Sequence, residues 1–283
     1  MSAAKGGGVS HLEQHTSDPA TVARAFVAAR RGAFAAPVYP GDAPATMVEA
    51  YEIQDAAIAA WPDRIAGWKL GRVPPPLDER YGAGRLAGPI FSRNVWLAGP
   101  EPTAFGAIVG GFAAVEAEYI LEIGEAPPVR PASGERWSAE SVAPYVAAVH
   151  IGIEIAGSPF AGINDHGPAV TASDFGNNAG LILGASVANW RDRLDELTCR
   201  VEIDGVEIGT GGARSIPGGP LDSLAFLLNL LETRGRRLDA GQLISTGAAT
   251  GVHRIEIGQS AVADFGDDGR IACVAVPAVG AVA

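Results

Sequence analysis

Residues 115–123 read VEAEYILEI, and their strict alternation limits what this chain can fold into more than any other feature. Successive side chains of an extended strand point to opposite faces. Val115, Ala117, Tyr119, Leu121 and Ile123 therefore share one face, and Glu116, Glu118, Ile120 and Glu122 the other. Residues 149–155 repeat the pattern, with Val149, Ile151, Ile153 and Ile155 on one side and His150, Gly152 and Glu154 on the other. Glu116 and Glu118 then point the same way, roughly 6–7 Å apart along the strand, and Glu154 joins them if the two strands lie close together. Clustered carboxylates repel unless something positive sits between them, and hard oxygen donors suit Mg²⁺, Mn²⁺ or Ca²⁺. On alternation alone, the commoner fate of an ExE strand is the wet face of a half-exposed sheet, and that alternative stays open here.

The rest of the chain divides around these strands. Residues 1–18 read as a flexible tail. Asp18 and Pro19 open a helix as N-cap and first-turn residues, with Val22, Phe26 and Ala29 on its stripe. A second helix is predicted over 44–61, ended by Pro62. Residues 19–64 thus form a helical N-terminal part, and 65–283 a β-rich body. Within the body, 65–71 and 89–97 read as strands, and the prolines of 73–76 as a loop. Asp204 with Gly205, and Asp268 with Gly269, sit between strand-like runs and predict hairpins. An amphipathic helix is predicted over 221–234, with Gly235 just past its end. Thirty-seven glycines and 20 prolines favour this turn-rich β architecture over a helical bundle.

A net charge of −11 disfavours nucleic acid and anionic membranes as partners. Two basic clusters, Arg24/Arg30/Arg31 and Arg234/Arg236/Arg237, read as solvated faces. Cys199 and Cys273 form no zinc spacing and read as buried free thiols of a reducing cytoplasm. No secretory h-region is visible and no run approaches the length of a membrane span, so a soluble cytoplasmic protein is expected.

Other candidates are weaker by themselves. Lys69, in GWKLG, is either a partly buried acid, base or anion anchor, or a snorkelling surface lysine. The loop 245–251, STGAATG, offers backbone N–H groups for a carboxylate, or is simply a turn. His166, between Asp165 and Gly167, reads as a structural or surface residue, because no partner order for a catalytic triad surrounds it.

Taken in order, GWKLG around Lys69, GPIFSR from Gly88, VEAEYILEIG, GIEIAGSPF from Gly152, SDFGNNAGLILG from Ser173, LAFLLNLL from Leu224 and STGAATG…ADFG resemble the 2-keto-4-pentenoate hydratase family. That family includes 4-oxalocrotonate decarboxylases and belongs to the fumarylacetoacetate hydrolase superfamily. The resemblance covers about residues 20–280. It implies an α+β fold, a β-rich mixed-sheet roll with N-terminal helices. It implies Mg²⁺ or Mn²⁺ held by Glu116, Glu118 and Glu154, with Lys69 and Asp174 as catalytic residues. Ser245, Thr246, Gly247 and Thr250 of the glycine-rich loop would bind substrate. The implied activity is a hydratase acting on a small 2-oxo acid such as 2-hydroxypenta-2,4-dienoate through a metal-stabilised enolate, in a homo-oligomer. A 4-oxalocrotonate-type decarboxylase, an acylpyruvate-type C–C hydrolase and a silent oxo-acid-binding relative are the alternatives. Two departures bear on that choice. Residues 84–87 (GRLA) lack the acid usual in the family's loop, and Phe175 stands where the family often has Asn.

Overall fold

The computed structural model describes residues 18–280. The predicted tail over 1–18 lies outside the described residues except for Asp18. In chain order the elements are α1 (Pro19–Gly32), α2 (Met47–Ala60), β1 (Ile65–Arg72), α3 (Leu77–Tyr81), β2 (Arg85–Phe91), β3 (Val95–Leu97), β4 (Thr103–Ala107), β5 (Phe112–Ile123) and α4 (Ala139–Val142). Then follow β6 (Val146–Ser158), α5 (Pro168–Ser173), β7 (Asn178–Ser186), α6 (Trp190–Arg193), β8 (Thr198–Ile203), β9 (Val206–Gly212) and α7 (Gly219–Thr233). The chain closes with β10 (Leu243–Ser245), β11 (His253–Arg254), β12 (Ser260–Asp264) and β13 (Arg270–Pro277).

The strands form two mixed sheets. One runs β2-β1-β10-β5-β6-β7-β3, with β11 added on β5; the other runs β4-β13-β12-β8-β9. The apolar face predicted for β5 and β6 is real. Val115, Tyr119, Leu121, Ile151 and Ile153 share a core with Val201, Ala261 and Ile271 of the second sheet and with Leu224, Leu227 and Leu231 of α7. The N-terminal helices do not stand apart from this body, because Val22 and Phe26 of α1 are buried in one cluster with Phe112, Ala156 and Phe175.

Local chemistry sets the element ends. Asp18 caps α1 by accepting from the Ala20 N–H. The second helix starts three residues later than Pro44, because Thr46 accepts from the Glu49 N–H while the Glu49 carboxylate accepts from the Ala45 N–H. Asp204 and Gly205 both have positive φ, 48° and 77°, the conformation of a tight two-residue hairpin turn. Asp268 and Gly269 instead end a longer connection, in which a 3₁₀ turn (Gly266–Asp268) separates β12 from β13. Gly235 follows α7 in the left-handed conformation, φ 64°, as its position predicts.

Two expectations fail. The single strand over 89–97 is two strands broken by a 3₁₀ turn (Ser92–Asn94), and β2 pairs with β1 whereas β3 pairs with β7. The basic clusters are solvated only in part: Arg24, Arg31 and Arg237 are exposed as expected, but one arginine of each cluster is not. The Arg234 side chain is buried, stacked over Tyr51 and Trp68 and paired with Asp55 at 2.7 Å, and Arg30 is tied to Asp174. Both guanidiniums are taken out of water by partners far away in sequence. Cys199 and Cys273 are buried and free, as expected. Among the described residues, no helix is long and apolar enough to cross a membrane.

Candidate metal centre

The site is built on the polar face of the first sheet. In the β5–β6 ladder Glu116 lies directly opposite Glu154, and Glu118 opposite Gly152. The β1–β10 register sets Lys69 beside Ser245, which in turn faces Ile120 of β5. Directly opposed residues share a face, so Lys69, Ser245, Glu116, Glu118 and Glu154 converge. This is no wet face: Glu118 and Glu154 are 0% exposed, and Glu116 and Lys69 4%. Ligand oxygens of the three glutamates lie within 4.8 Å of one another.

Like charges directly opposite one another destabilise a ladder, and burial magnifies the effect. Lys69 Nζ, 3.6 Å from Glu154 Oε2, supplies one positive charge. Three carboxylates against one ammonium leave two negative charges unbalanced. The hydrogen bonds leave the corresponding oxygens free. Glu118 Oε2 accepts from Ser245 Oγ at 2.6 Å and the Gly247 N–H at 2.7 Å, while its Oε1 is buried without a partner. Glu154 Oε1 accepts from Asn178 Nδ2 at 2.6 Å, while its Oε2 has no hydrogen-bond donor. Two buried carboxylate oxygens that accept no hydrogen bond, in a cluster of three glutamates offset by a single ammonium, fit a hard divalent cation.

The same electrostatics governs protonation. Burial, then Glu116 and Glu154, hold the Glu118 pKa well above the ordinary carboxylate range. Burial raises that of Glu154 to about 8, although Lys69 opposes the rise. Burial disfavours the charged form of Lys69, but Glu154, Glu116 and Glu118 outweigh it and hold the ammonium protonated. A carboxylate with a raised folded-state pKa binds more protons folded than unfolded, so stability falls as pH climbs between the two values. In chelator, the thermal stability of the protein is therefore expected to fall from about pH 5 to about pH 8, by on the order of a few kcal/mol. Millimolar Mg²⁺ or Mn²⁺ should relieve that fall; melting curves across this window, with and without metal, make the check.

The centre opens onto a cleft of about 710 Å³ lined by Lys69, Arg72, Arg85, Glu116, Asn164, Asn177, Thr246, Gly247, Thr250 and small and apolar neighbours. The substrate loop has a divided role. Ser245 and Gly247 hold Glu118, Thr246 Oγ1 donates to the Tyr119 carbonyl at 2.7 Å, and Thr250 Oγ1 meets His253 Nε2 at 3.1 Å. Thr246, Gly247 and Thr250 line the cleft, and Ser245 does not. Asp174 is not brought to the cleft either. Arg30 takes both its carboxylate oxygens, at 2.6 and 2.9 Å, and Ser158 Oγ adds a third bond at 2.6 Å. Asp174 is 1% exposed and does not line the cleft, so its carboxylate meets Arg30 and Ser158 instead. His166 lies exposed in the loop after β6, against the Phe160 ring.

Sequence reasoning missed Asn178, the partner of Glu154. It is set by a strained turn in which Phe175, Gly176 and Asn177 have φ of 53°, 62° and 65°. The turn packs on β2 so tightly that a Cβ at Gly88 would lie 1.9 Å from the Phe175 carbonyl oxygen. The SDFGNN run was visible, but nothing local says that its last Asn reaches a glutamate 24 residues back.

No family model matches the chain. A curated 4-oxalocrotonate decarboxylase of Pseudomonas putida is 35% identical over 79 residues, 28% of this chain; the match spans 30% of that relative's length. In solved structures the likeness extends over the whole architecture. 4-Oxalocrotonate decarboxylase from Pseudomonas putida G7, complexed with magnesium and adipate, superposes with a TM-score of 0.76 at 18% identity, over 91% of this chain and 97% of that one. Fumarylpyruvate hydrolase from Pseudomonas aeruginosa, in complex with Mn²⁺ and pyruvate, gives 0.53 at 15% identity, over 77% and 91%. The chain therefore shares the α+β fold of mixed sheets found in 4-oxalocrotonate decarboxylase and in fumarylpyruvate hydrolase.

Proposed function

We propose that the chain is a divalent-metal-dependent lyase acting on a small 2-oxo acid, a decarboxylase of the 4-oxalocrotonate type ahead of a hydratase. The observation that carries the reading is the pair of buried oxygens, Glu118 Oε1 and Glu154 Oε2, that accept no hydrogen bond, with Glu116 beside them and Lys69 the one cation at hand among the described residues. Glu116, Glu118 and Glu154 would hold Mg²⁺ or Mn²⁺, and a cation there supplies Lewis acidity toward the carboxylate and 2-oxo oxygens of such a substrate.

Decarboxylation is favoured over hydration by what lines the cleft. Among the described residues its ionisable lining groups are Lys69, Arg72, Arg85 and Glu116. Hydration needs a base to take a proton from water and an acid to protonate carbon. Loss of CO₂ from a conjugated 2-oxo acid needs no base. The bond to the departing carboxylate breaks, and its electron pair moves through the conjugated chain to the 2-oxo oxygen. The Lys69 ammonium stabilises that developing charge, and the oxygen takes up a proton to give the 2-hydroxydiene.

The rim adds a second argument. Arg72 and Arg85 are direct cross-strand partners in the β1–β2 ladder. Arg85 is paired with Asp222 at 2.9 Å and donates to the Pro217 carbonyl. No ion pair or hydrogen bond engages the Arg72 side chain among the described residues. Asp222 offsets the charge of Arg85, whereas Arg72, exposed at the end of β1, lines the same cleft as Lys69, about 10 Å away along the strand. That separation suits the second carboxylate of a short dicarboxylate. Arg72→Leu is expected to raise KM for a dicarboxylate substrate about 10–100-fold, the worth of a charge-assisted hydrogen bond, and to leave KM for a monocarboxylate unchanged.

Incubating the purified chain with Mg²⁺ and either 4-oxalocrotonate or 2-hydroxypenta-2,4-dienoate separates the readings. CO₂ release from the first with no loss of the second is the expected result. Consumption of the dienoate without CO₂ release would make the protein a hydratase. Turnover of neither, with metal bound, would mark a silent relative.

A further inference from the structure

We infer that Arg30, on the N-terminal helix, is a positioning residue for Glu154, acting through Asp174 and Asn178; this rests on the reading of Glu154 as a metal ligand. The β6–β7 ladder shifts register between Ile155 and Ala156, one residue beyond Glu154. Such a bulge interrupts ladder hydrogen bonds and re-aims side chains. Here the carbonyls flanking it turn to Arg30, which donates to Gly157 O at 2.8 Å on β6 and to Asn178 O at 2.9 Å on β7. The same guanidinium grips Asp174 through two bonds, and Asp174 begins the turn that delivers Asn178.

Asn178 is thus fixed from behind by Arg30 while its amide holds Glu154 Oε1 at 2.6 Å. That bond leaves Oε2, which accepts no hydrogen bond and has only the Lys69 ammonium 3.6 Å away, as the oxygen for the metal. Only a planar fork with several donors can reach a carboxylate and two carbonyls at once. Asp174 is therefore a link in this support rather than a group that meets substrate. The helix α1 carries no cleft residue, yet through Arg30 it sets the geometry of the centre.

The test is a double-mutant cycle on the full chain, with Mn²⁺ affinity read by the loss of the free-ion paramagnetic resonance signal and folding read by melting in chelator. Arg30→Gln and Asn178→Ala should each weaken Mn²⁺ binding about 10–100-fold, as removal of outer support for a metal ligand does. The double variant should bind no more weakly than Asn178→Ala, because the two residues act in series. Arg30→Lys keeps the charge without the fork, and should still lose at least half of the effect on a logarithmic scale. It also serves as the readout if Arg30→Gln does not fold. Losses that multiply in the double variant would overturn the inference, as would a lowered melting point with Mn²⁺ affinity within about twofold of wild type. A wild-type chain that binds no Mn²⁺ would instead overturn the metal reading beneath it.

Discussion

Glu118→Gln is expected to weaken Mn²⁺ binding by more than about 100-fold, beyond the loss seen when outer support for a ligand is removed, while making the metal-free protein more stable at alkaline pH. The opposite signs come from one cause. Glutamine keeps the volume, and its carbonyl oxygen can accept the bonds from Ser245 and Gly247 that now go to Oε2. Its amide then occupies the place of the unpartnered Oε1 and donates toward Glu116 and Glu154, the carboxylates whose repulsion raises the Glu118 pKa. One buried charge is gone, so the metal-free site is less strained and the metal site is incomplete. A purely structural glutamate would give destabilisation without a metal effect. Titration calorimetry with Mn²⁺ and melting in chelator read the two signs separately.

Lys69→Met is expected to lower kcat by about 10²–10⁴, the range for loss of a positioned acid–base or charge-stabilising group, with metal binding retained or tightened. Methionine fills the space of a side chain that is 4% exposed. Removing the one ammonium makes the carboxylate cluster more attractive to a cation, so Mn²⁺ affinity should not fall. In chelator the variant should be less stable than wild type, because the glutamates lose the charge that offsets their repulsion. Loss of activity together with loss of metal would show that Lys69 merely holds the site together.

What was legible in the sequence was whatever depends on neighbours along the chain. The alternation in β5 and β6 tells which side chains share a face, while the pairing that puts Glu116 opposite Glu154 comes from the ladder itself. Asp204 with Gly205 and the glycine after α7 were readable because a turn or a cap is set by one or two φ values. Whether the glutamate face is wet or buried is not readable, because Lys69 of β1, Ser245 of β10 and Asn178 of β7 close on it from distant parts of the chain. Arg30 and Asp174 illustrate the limit. Their bond spans 144 residues, so a helix arginine reads as solvated and a motif aspartate as chemical, although each occupies the other. The six-residue α5 was missed because one and a half turns carry too little periodicity to register.

Anomalous diffraction from a crystal of the full chain grown with Mn²⁺ tests the central claim most directly. A single strong peak is expected in the first sheet's polar face, roughly 2–2.3 Å from Glu118 Oε1, Glu154 Oε2 and one oxygen of Glu116, with Lys69 beside it and Asp174 still bonded to Arg30. A peak at other residues, or none at saturating Mn²⁺, would contradict the claim.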